Sequence, residues 1–542
     1  MNPEDTPSQM DVIYSIGGDT YGSLIKFVQE QKHADDNLMG DFLGKATQIP
    51  NPFFSGLDST IMTLTGSPAS YVDAWGFLTI VLPFILIFFL SRRIFQESRE
   101  HSYLALIVAS SVAMSAFNVW HFLAGHFGFN LVFLLLWLWR HYRLCERPSF
   151  SNALLAGGAL GASAVFSPYF GFFSGLLAVF SVLVLALRNR QAAISLIRWN
   201  VLSWVVAIGV AAIAVFPILD ALLHAHQQPV GSAFNRDPGS VWGVLPWMYL
   251  LPPPSHLLAG ESYREFYLQA MSVGNVPEAA LYLGIFNIVF FLYGIYLYIS
   301  GKLLGSAREA FFLAAIFALF CFLLSLPPFV SLPGGRKFYL PGYYLHSVFT
   351  MFRIYSRFGV LVLVFTTIGA IIAFRHLLHA YPKHARRMAM GALMLVAVDL
   401  FPRLPTIDLA QYPKVYDWLK AQPGQFAVYE LPEDQSMSGK DDFQFYKRTY
   451  YQTIHGKKVV NRTTGKVDIH SRDFYETLKI QGVRYLVQHE SMYQEGPLPQ
   501  EYKPYVTRNV AEEKFNGGVV EKLPDWYVPV ERIGTTVLYQ LQ

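Results

Sequence analysis

The sequence predicts an α-helical polytopic membrane protein with about ten spans, eleven in the intact protein, followed by an external C-terminal α/β domain. Three observations carry this prediction. Of 542 residues, 53% are hydrophobic and only 15% are charged, where a soluble protein has about 25% charged residues with which to face water. Apolar stretches long enough to approach the roughly 20 residues that a bilayer crossing needs recur from residue 73 to residue 402. Lys and Arg collect in alternate connections between those stretches. The mean hydropathy, +0.31, agrees. Two cysteines, Cys145 and Cys321, exclude a disulfide framework and a four-ligand zinc site. The 42 basic and 38 acidic residues give a net charge of +4, too balanced to point to nucleic acid.

Residues 1–72 form a polar region read as the first external loop. Spans are then expected at about 73–90, 102–117, 128–140, 152–166, 168–187, 198–222, 278–300, 309–326, 357–374 and 387–402. The connections after the first, third, fifth, seventh and ninth hold Arg92, Arg93 and Arg99; Arg140, Arg143 and Arg147; Arg188, Arg190 and Arg198; Lys302 and Arg308; and Arg375, Lys383, Arg386 and Arg387. The short connections after the second and fourth hold no Lys or Arg. By the positive-inside rule the odd connections are cytoplasmic and the even ones external. Residues 1–72, the 223–277 and 327–356 loops, and everything after about 403 then lie outside. Met1 to Asp19 has neither a basic n-region nor an apolar h-region. Translocation of that tail is therefore expected to depend on a further span upstream.

From Pro405 the composition turns polar, and strand-like runs at Gln425–Leu431, Lys457–Val460 and Val483–Val487 alternate with a helical stretch near Arg472–Gln481. Residues 403–542 are expected to fold as a small soluble α/β domain, with Gly482 as a C-cap before the third of those runs.

Polar residues gathered at the external membrane surface mark the places where chemistry is expected, because burying them near lipid is costly. Ile16-Gly17-Gly18-Asp19-Thr20-Tyr21-Gly22 sets a carboxylate behind two glycines that let the backbone approach a ligand. By local chemistry alone, Asp19 is as readily a turn former or an N-cap. His121 and His126 stand five residues apart, off the shared helix face of an i, i+4 pair, so pocket lining or capping is favoured over zinc. Tyr169 lies in the next external turn, and Arg236, Trp247, Tyr249 and a Leu251–His256 run follow in the 223–277 loop. Arg336, Lys337, Arg353 and Arg357 approach the ninth span from outside. Cations there run against the positive-inside bias, and they suggest either an anion or snorkelling to lipid headgroups.

An external carboxylate, external arginines and aromatic residues beside a membrane cavity are the parts needed to transfer a sugar from a lipid-linked phosphate. The carboxylate deprotonates the acceptor hydroxyl, and cations stabilise the departing phosphate.

The order of the segments GGDTYG, NPFFSGLDST, GHFGFN, FSPYFGFF, PWMYLLPPPSH and FRIYSRFGVLVLV resembles that of the GT-C superfamily of membrane glycosyltransferases. These are related to protein mannosyltransferases and lipid A sugar transferases, and the resemblance is to their uncharacterised bacterial and archaeal branch. VYELP, YYQTIHGKKVVNR and LKIQGVRYLV resemble the soluble domain attached to many members. The resemblance implies a polyprenyl-phosphate-linked sugar as donor, an external active site, and a catalytic Asp in the first external loop, which Asp19 matches. Family members usually have a span just before that loop, whereas this chain begins 18 residues before Asp19. Many also carry paired acidic residues, while Asp19 has no acidic neighbour, which disfavours a divalent metal; no cofactor is expected.

The expected function is therefore sugar transfer from a polyprenyl-phosphate donor to a glycan, lipid or protein acceptor of the cell envelope, in the cytoplasmic membrane. Asp19 is the candidate base, Arg236, Arg353 and Arg357 are candidate phosphate partners, and His121, His126, Tyr169 and Tyr249 are candidate donor- or acceptor-binding residues. A transporter or flippase and a non-catalytic envelope-assembly scaffold are the alternatives. The sequence has no related halves and no ionisable group deep in a span, features that a transporter often shows.

Overall fold

A computed structural model of the chain describes residues 11–13, 74, 76–95, 101–123, 131–215, 242–259, 261–271, 276–331, 336–350, 352, 354–402, 406–408, 414–431, 457–459, 469–489, 523–534 and 536–541. Asp19, His126, Arg236 and Arg353 lie outside these residues.

The described part is mostly helical. The apolar stretches fold as α1 (Phe77–Ile94), α2 (His101–Ala113), α3 (Ala116–Leu123), α4 (Leu131–Glu146), α5 (Phe150–Phe166), α6 (Pro168–Arg188) and α7 (Arg190–Val215). After α8 (Glu261–Ala270) and the single turn α9 (Val276–Ala279) come α10 (Ile285–Ile299), α11 (Gly305–Ser325), α12 (Pro341–Val348), α13 (Gly359–Ala380) and α14 (Ala385–Leu400). Every stretch read from the sequence as a span carries a helix. Five helical segments, Phe77–Ile94, Pro168–Arg188, Arg190–Ile213, Gly305–Ser325 and Tyr355–Ala380, are each long and apolar enough to cross a bilayer, and the bent pair α2–α3 makes a sixth. The chain is a membrane protein on that ground. Phe150–Phe166 and Ile285–Ile299 are shorter apolar helices.

Two helices break where hydropathy alone reads one rod. Between α2 and α3 the axis bends by 48°. Asn118 accounts for the bend: its backbone N–H reaches the Ser115 hydroxyl at 3.3 Å, and its amide Nδ2 donates to the carbonyls of Ala113 and Thr79, both at 2.8 Å. Carbonyls that a continuous helix would occupy are thus satisfied by a side chain. The stretch 278–300 also divides, because Gly284 takes φ +87° and the turn α9 stops before α10 begins. That left-handed conformation suits glycine, which has no Cβ to clash. Glu278 therefore sits in the connection ahead of α10 rather than in a membrane-spanning helix.

The termini follow capping chemistry. Ser149 accepts the Asn152 N–H ahead of α5, Asn189 accepts the Ala192 N–H ahead of α7, and Pro168 opens α6. Helix α7 thus begins at Arg190, eight residues earlier than its apolar run. In lipid, close helix contact comes from small residues. A Cβ on Gly157 would fall 2.5 Å from the Ser203 carbonyl oxygen, and one on Gly161 would fall 2.7 Å from Val210 Cβ, so α5 and α7 meet backbone to backbone. The segment carrying α13 is 83% buried against 22% for those carrying α1 and α7, which makes it the centre of the bundle. On α7, Ile194, Val201, Val205 and Ile208 are exposed, as a lipid-facing side requires.

Toward the C-terminus, α15 (Val415–Ala421) and α16 (Arg472–Ile480) accompany a five-stranded sheet of β5 (Ala427–Leu431), β6 (Lys458–Val459), β7 (Val483–His489), β8 (Tyr527–Ile533) and β9 (Thr536–Leu541). Its order is β6-β5-β7-β9-β8, with β5 parallel to β6 and β7, and β9 antiparallel to β7 and β8. Tyr429, Leu431, Tyr475, Leu478, Leu486 and Tyr527 fill its core. Gly482 takes φ +76°, and its N–H bonds the Lys479 carbonyl, closing α16 just ahead of β7. Two small antiparallel pairs complete the described elements. One joins β1 (Asp11–Ile13) to β4 (Thr406–Asp408), and the other joins β2 (Phe329–Ser331) to β3 (Lys337–Tyr339).

Candidate functional site

Connections read as external come together at one end of the bundle. The Val244 N–H bonds the Ser325 carbonyl, Trp242 bridges Ile354, and His256 bridges Pro402. At the other end the Arg-bearing connections meet, with Arg188 on Glu309 at 3.2 Å and over the Phe312 ring.

At the first end a group of charged side chains is buried. Helix α3 supplies His121, the turn α9 supplies Glu278, the short 3-10 turn Tyr355–Phe358 supplies Ser356 and Arg357, and the first turn of α6 supplies Tyr169. Arg357 Nε donates to both carboxylate oxygens of Glu278, at 2.9 and 3.1 Å, and its Nη2 donates to Oε1 as well. The Ser356 hydroxyl donates to Glu278 Oε2 at 3.3 Å. The Arg357 guanidinium lies 4.6 Å from the centre of the Tyr169 ring, a cation–π contact. His121 Nδ1 is 2.9 Å from the Phe117 carbonyl oxygen, which only accepts, so that nitrogen carries a proton. Its Nε2 faces Glu278 Oε1 at 3.7 Å. Both ring nitrogens thus face oxygen acceptors. Burial pushes the Glu278 carboxyl up, but the Arg357 charge and the His121 contact outweigh it and hold the group well below the usual carboxylate range.

A second polar group lies across α3. Asp399, in the last turn of α14, accepts the Tyr282 hydroxyl at 2.8 Å and the Ile285 N–H at 2.7 Å, which caps α10 from another helix. His256 Nδ1 accepts the Leu258 N–H at 3.2 Å, so its proton is on Nε2, 3.4 Å from Asp399 Oδ1 but without hydrogen-bond geometry. A small cavity of about 20 Å³ lies here; Trp120, Ser255, His256, Tyr282 and Asp399 are among its lining residues. Neighbouring residues of α3 therefore serve different groups: His121 faces Glu278, and Trp120 faces this pocket.

Of the residues selected from the sequence, His121, Tyr169 and Arg357 come together, around a carboxylate that sequence reading did not single out. Glu278 sits 79 residues before Arg357, in a segment read as the start of a span, and no local signal pairs them. Tyr249 stands apart, its hydroxyl donating to Ser325 at 2.6 Å, and burial raises its pKa. Among the described residues no group of three or more His, Cys, Asp or Glu could hold a metal ion. No protein-family model matches this chain, and no curated protein matches it.

Proposed function

We propose that the chain is a membrane glycosyltransferase of GT-C type with about ten spans. In this reading it moves a sugar from a polyprenyl-phosphate donor to an envelope glycan, lipid or protein on the external face of the cytoplasmic membrane. The observation that carries this reading is the meeting of His121, Tyr169 and Arg357. They come from three distant segments, were selected as external donor-site residues, and are held in contact through Glu278. Arg357, its guanidinium held against the Tyr169 ring, is the group's cation for a neighbouring phosphate. Asp19 is assigned as the base that deprotonates the acceptor hydroxyl.

The test is transfer of labelled sugar in membranes supplied with a polyprenyl-phosphate sugar. Asp19→Asn is expected to abolish transfer at unchanged expression, and Arg357→Lys to slow it. Full transfer by Asp19→Asn removes that base. Movement of unmodified lipid across the bilayer without transfer would favour a flippase instead.

A further inference from the structure

We propose that helix α12 and the β2–β3 ribbon, which the sequence reads as part of an external loop, are seated in the headgroup region of the lipid leaflet at their end of the bundle, as an interfacial anchor. The first observation is depth. Helix α11 has 21 residues, a length of about 31 Å at 1.5 Å per residue, close to the thickness of the hydrocarbon layer. A Cβ on Gly342 of α12 would fall 3.5 and 3.6 Å from the carbonyl oxygens of Leu324 and Leu326, where α11 ends. It would also fall 3.6 Å from the ring of Tyr355, the first residue of the Tyr355–Ala380 segment. Helix α12 thus touches the ends of two segments that are long and apolar enough to cross a bilayer, at the level where they leave the hydrocarbon.

The second observation is the face that α12 leaves uncovered. Gly342 and His346 are buried on one side, while Pro341, Tyr344 and Val348 recur at i, i+3 and i+7 on the opposite side, with Tyr344 60% and Val348 72% exposed. In the ribbon, Val330 pairs with Phe338 across the two strands, and both are exposed. Arg336 and Lys337 are exposed beside them, and Lys337 Nζ lies 4.2 Å from the centre of the Phe329 ring. Residues 327–356 hold no Asp or Glu. Rings, aliphatic side chains and cations together are the composition of an element that lies in the plane of the membrane interface. Its apolar stripe meets the acyl boundary, and its cations meet lipid phosphates. Two copies of the chain paired through this patch would instead gather like charges.

The anchor stands on this geometry whether or not the chain transfers sugar. The experiment uses the full chain in phosphatidylcholine nanodiscs, with a nitroxide on one introduced cysteine at a time: Phe338→Cys, Tyr344→Cys or Val348→Cys. Cys145→Ala removes the partly exposed native thiol, and Cys321 is fully buried. Collisions with oxygen, which concentrates in lipid, and with a nickel chelate, which stays in water, report the depth of each label. Val205→Cys on the exposed side of α7 is the lipid reference, and Ile480→Cys at the end of α16 is the water reference. The ratio of oxygen to nickel collisions at all three positions is expected to be several-fold above that of Ile480→Cys and below that of Val205→Cys. The three side chains are exposed, so each variant is expected to be monodisperse; Val330→Cys and Phe349→Cys, also exposed, stand in for one that is not. A ratio equal to that of Ile480→Cys at any of the three places that element in water and overturns the proposal. Few collisions with either reagent mean that protein covers the patch, from a second copy or from elsewhere in the chain, and this also overturns it.

Discussion

Arg357 grips Glu278 through both Nε and Nη2, in a pair of which neither side chain is more than 8% exposed. Such a pair is strongly destabilising when only one half is removed, because the remaining charge stays buried. Glu278→Gln is expected to cost about 3–5 kcal/mol and to lower the melting temperature of the detergent-solubilised protein. The double substitution Glu278→Leu with Arg357→Met should recover most of that loss. A double variant less stable than the sum of the two singles would show that the pair is not coupled in this way.

The same carboxylate gives the stability a pH dependence of defined sign. In the unfolded chain Glu278 titrates near its ordinary value of 4.5, and in the folded protein it titrates well below that. Its contribution is therefore complete above pH 4.5 and drains away as the pH falls through that value and below. Melting temperatures of wild type and Glu278→Gln should differ most near neutral pH and converge as the medium is acidified. A gap that widens on acidification would reverse the assignment.

Asp399 predicts a local rather than a global effect. Removing its carboxylate in Asp399→Ala uncaps α10 and leaves the Tyr282 hydroxyl without its acceptor, at a cost of about 1–3 kcal/mol. Hydrogen exchange should quicken first at Ile285 and the turn after it. Tyr282→Phe, which removes one donor but keeps the cap, should cost only about 1 kcal/mol and leave exchange at Ile285 unchanged.

Gly157 tests the contact between α5 and α7. The Cβ of Gly157→Ala would fall within 2.5 Å of the Ser203 carbonyl oxygen, and backbone cannot rotate away as a side chain can. Overpacking of this kind costs about 1–3 kcal/mol, seen as a smaller monodisperse fraction on size exclusion. Gly158→Ala, one residue on and facing open space, is the matched control and should be neutral.

What the sequence made legible follows from what is local in it. Helices track apolar runs, and each predicted span carries one, because burial in lipid and intrahelical hydrogen bonding act within a single segment. Gly482 was readable as a cap for the same reason. The bend at Asn118 and the break at Gly284 were not. An Asn within an apolar run gives no sign that its amide reaches Thr79, 39 residues earlier, and Gly284 has its role only because Asp399 waits 114 residues away to receive the Ile285 N–H. The candidate site divides in the same manner. His121, Tyr169 and Arg357 stood out because cations and rings at a membrane face are costly. Glu278 and His256 owe their significance to partners that only the tertiary structure supplies.

The short pairing of β1 with β4 constrains the path of the whole chain. Two strands that share hydrogen bonds occupy the same compartment, so the polypeptide crosses the membrane an even number of times between Ile13 and Thr406. The five long apolar segments violate that parity if they alone cross. Among the described residues the bent pair α2–α3 restores it as a sixth crossing, and any further crossings anywhere between the two strands must then come in twos.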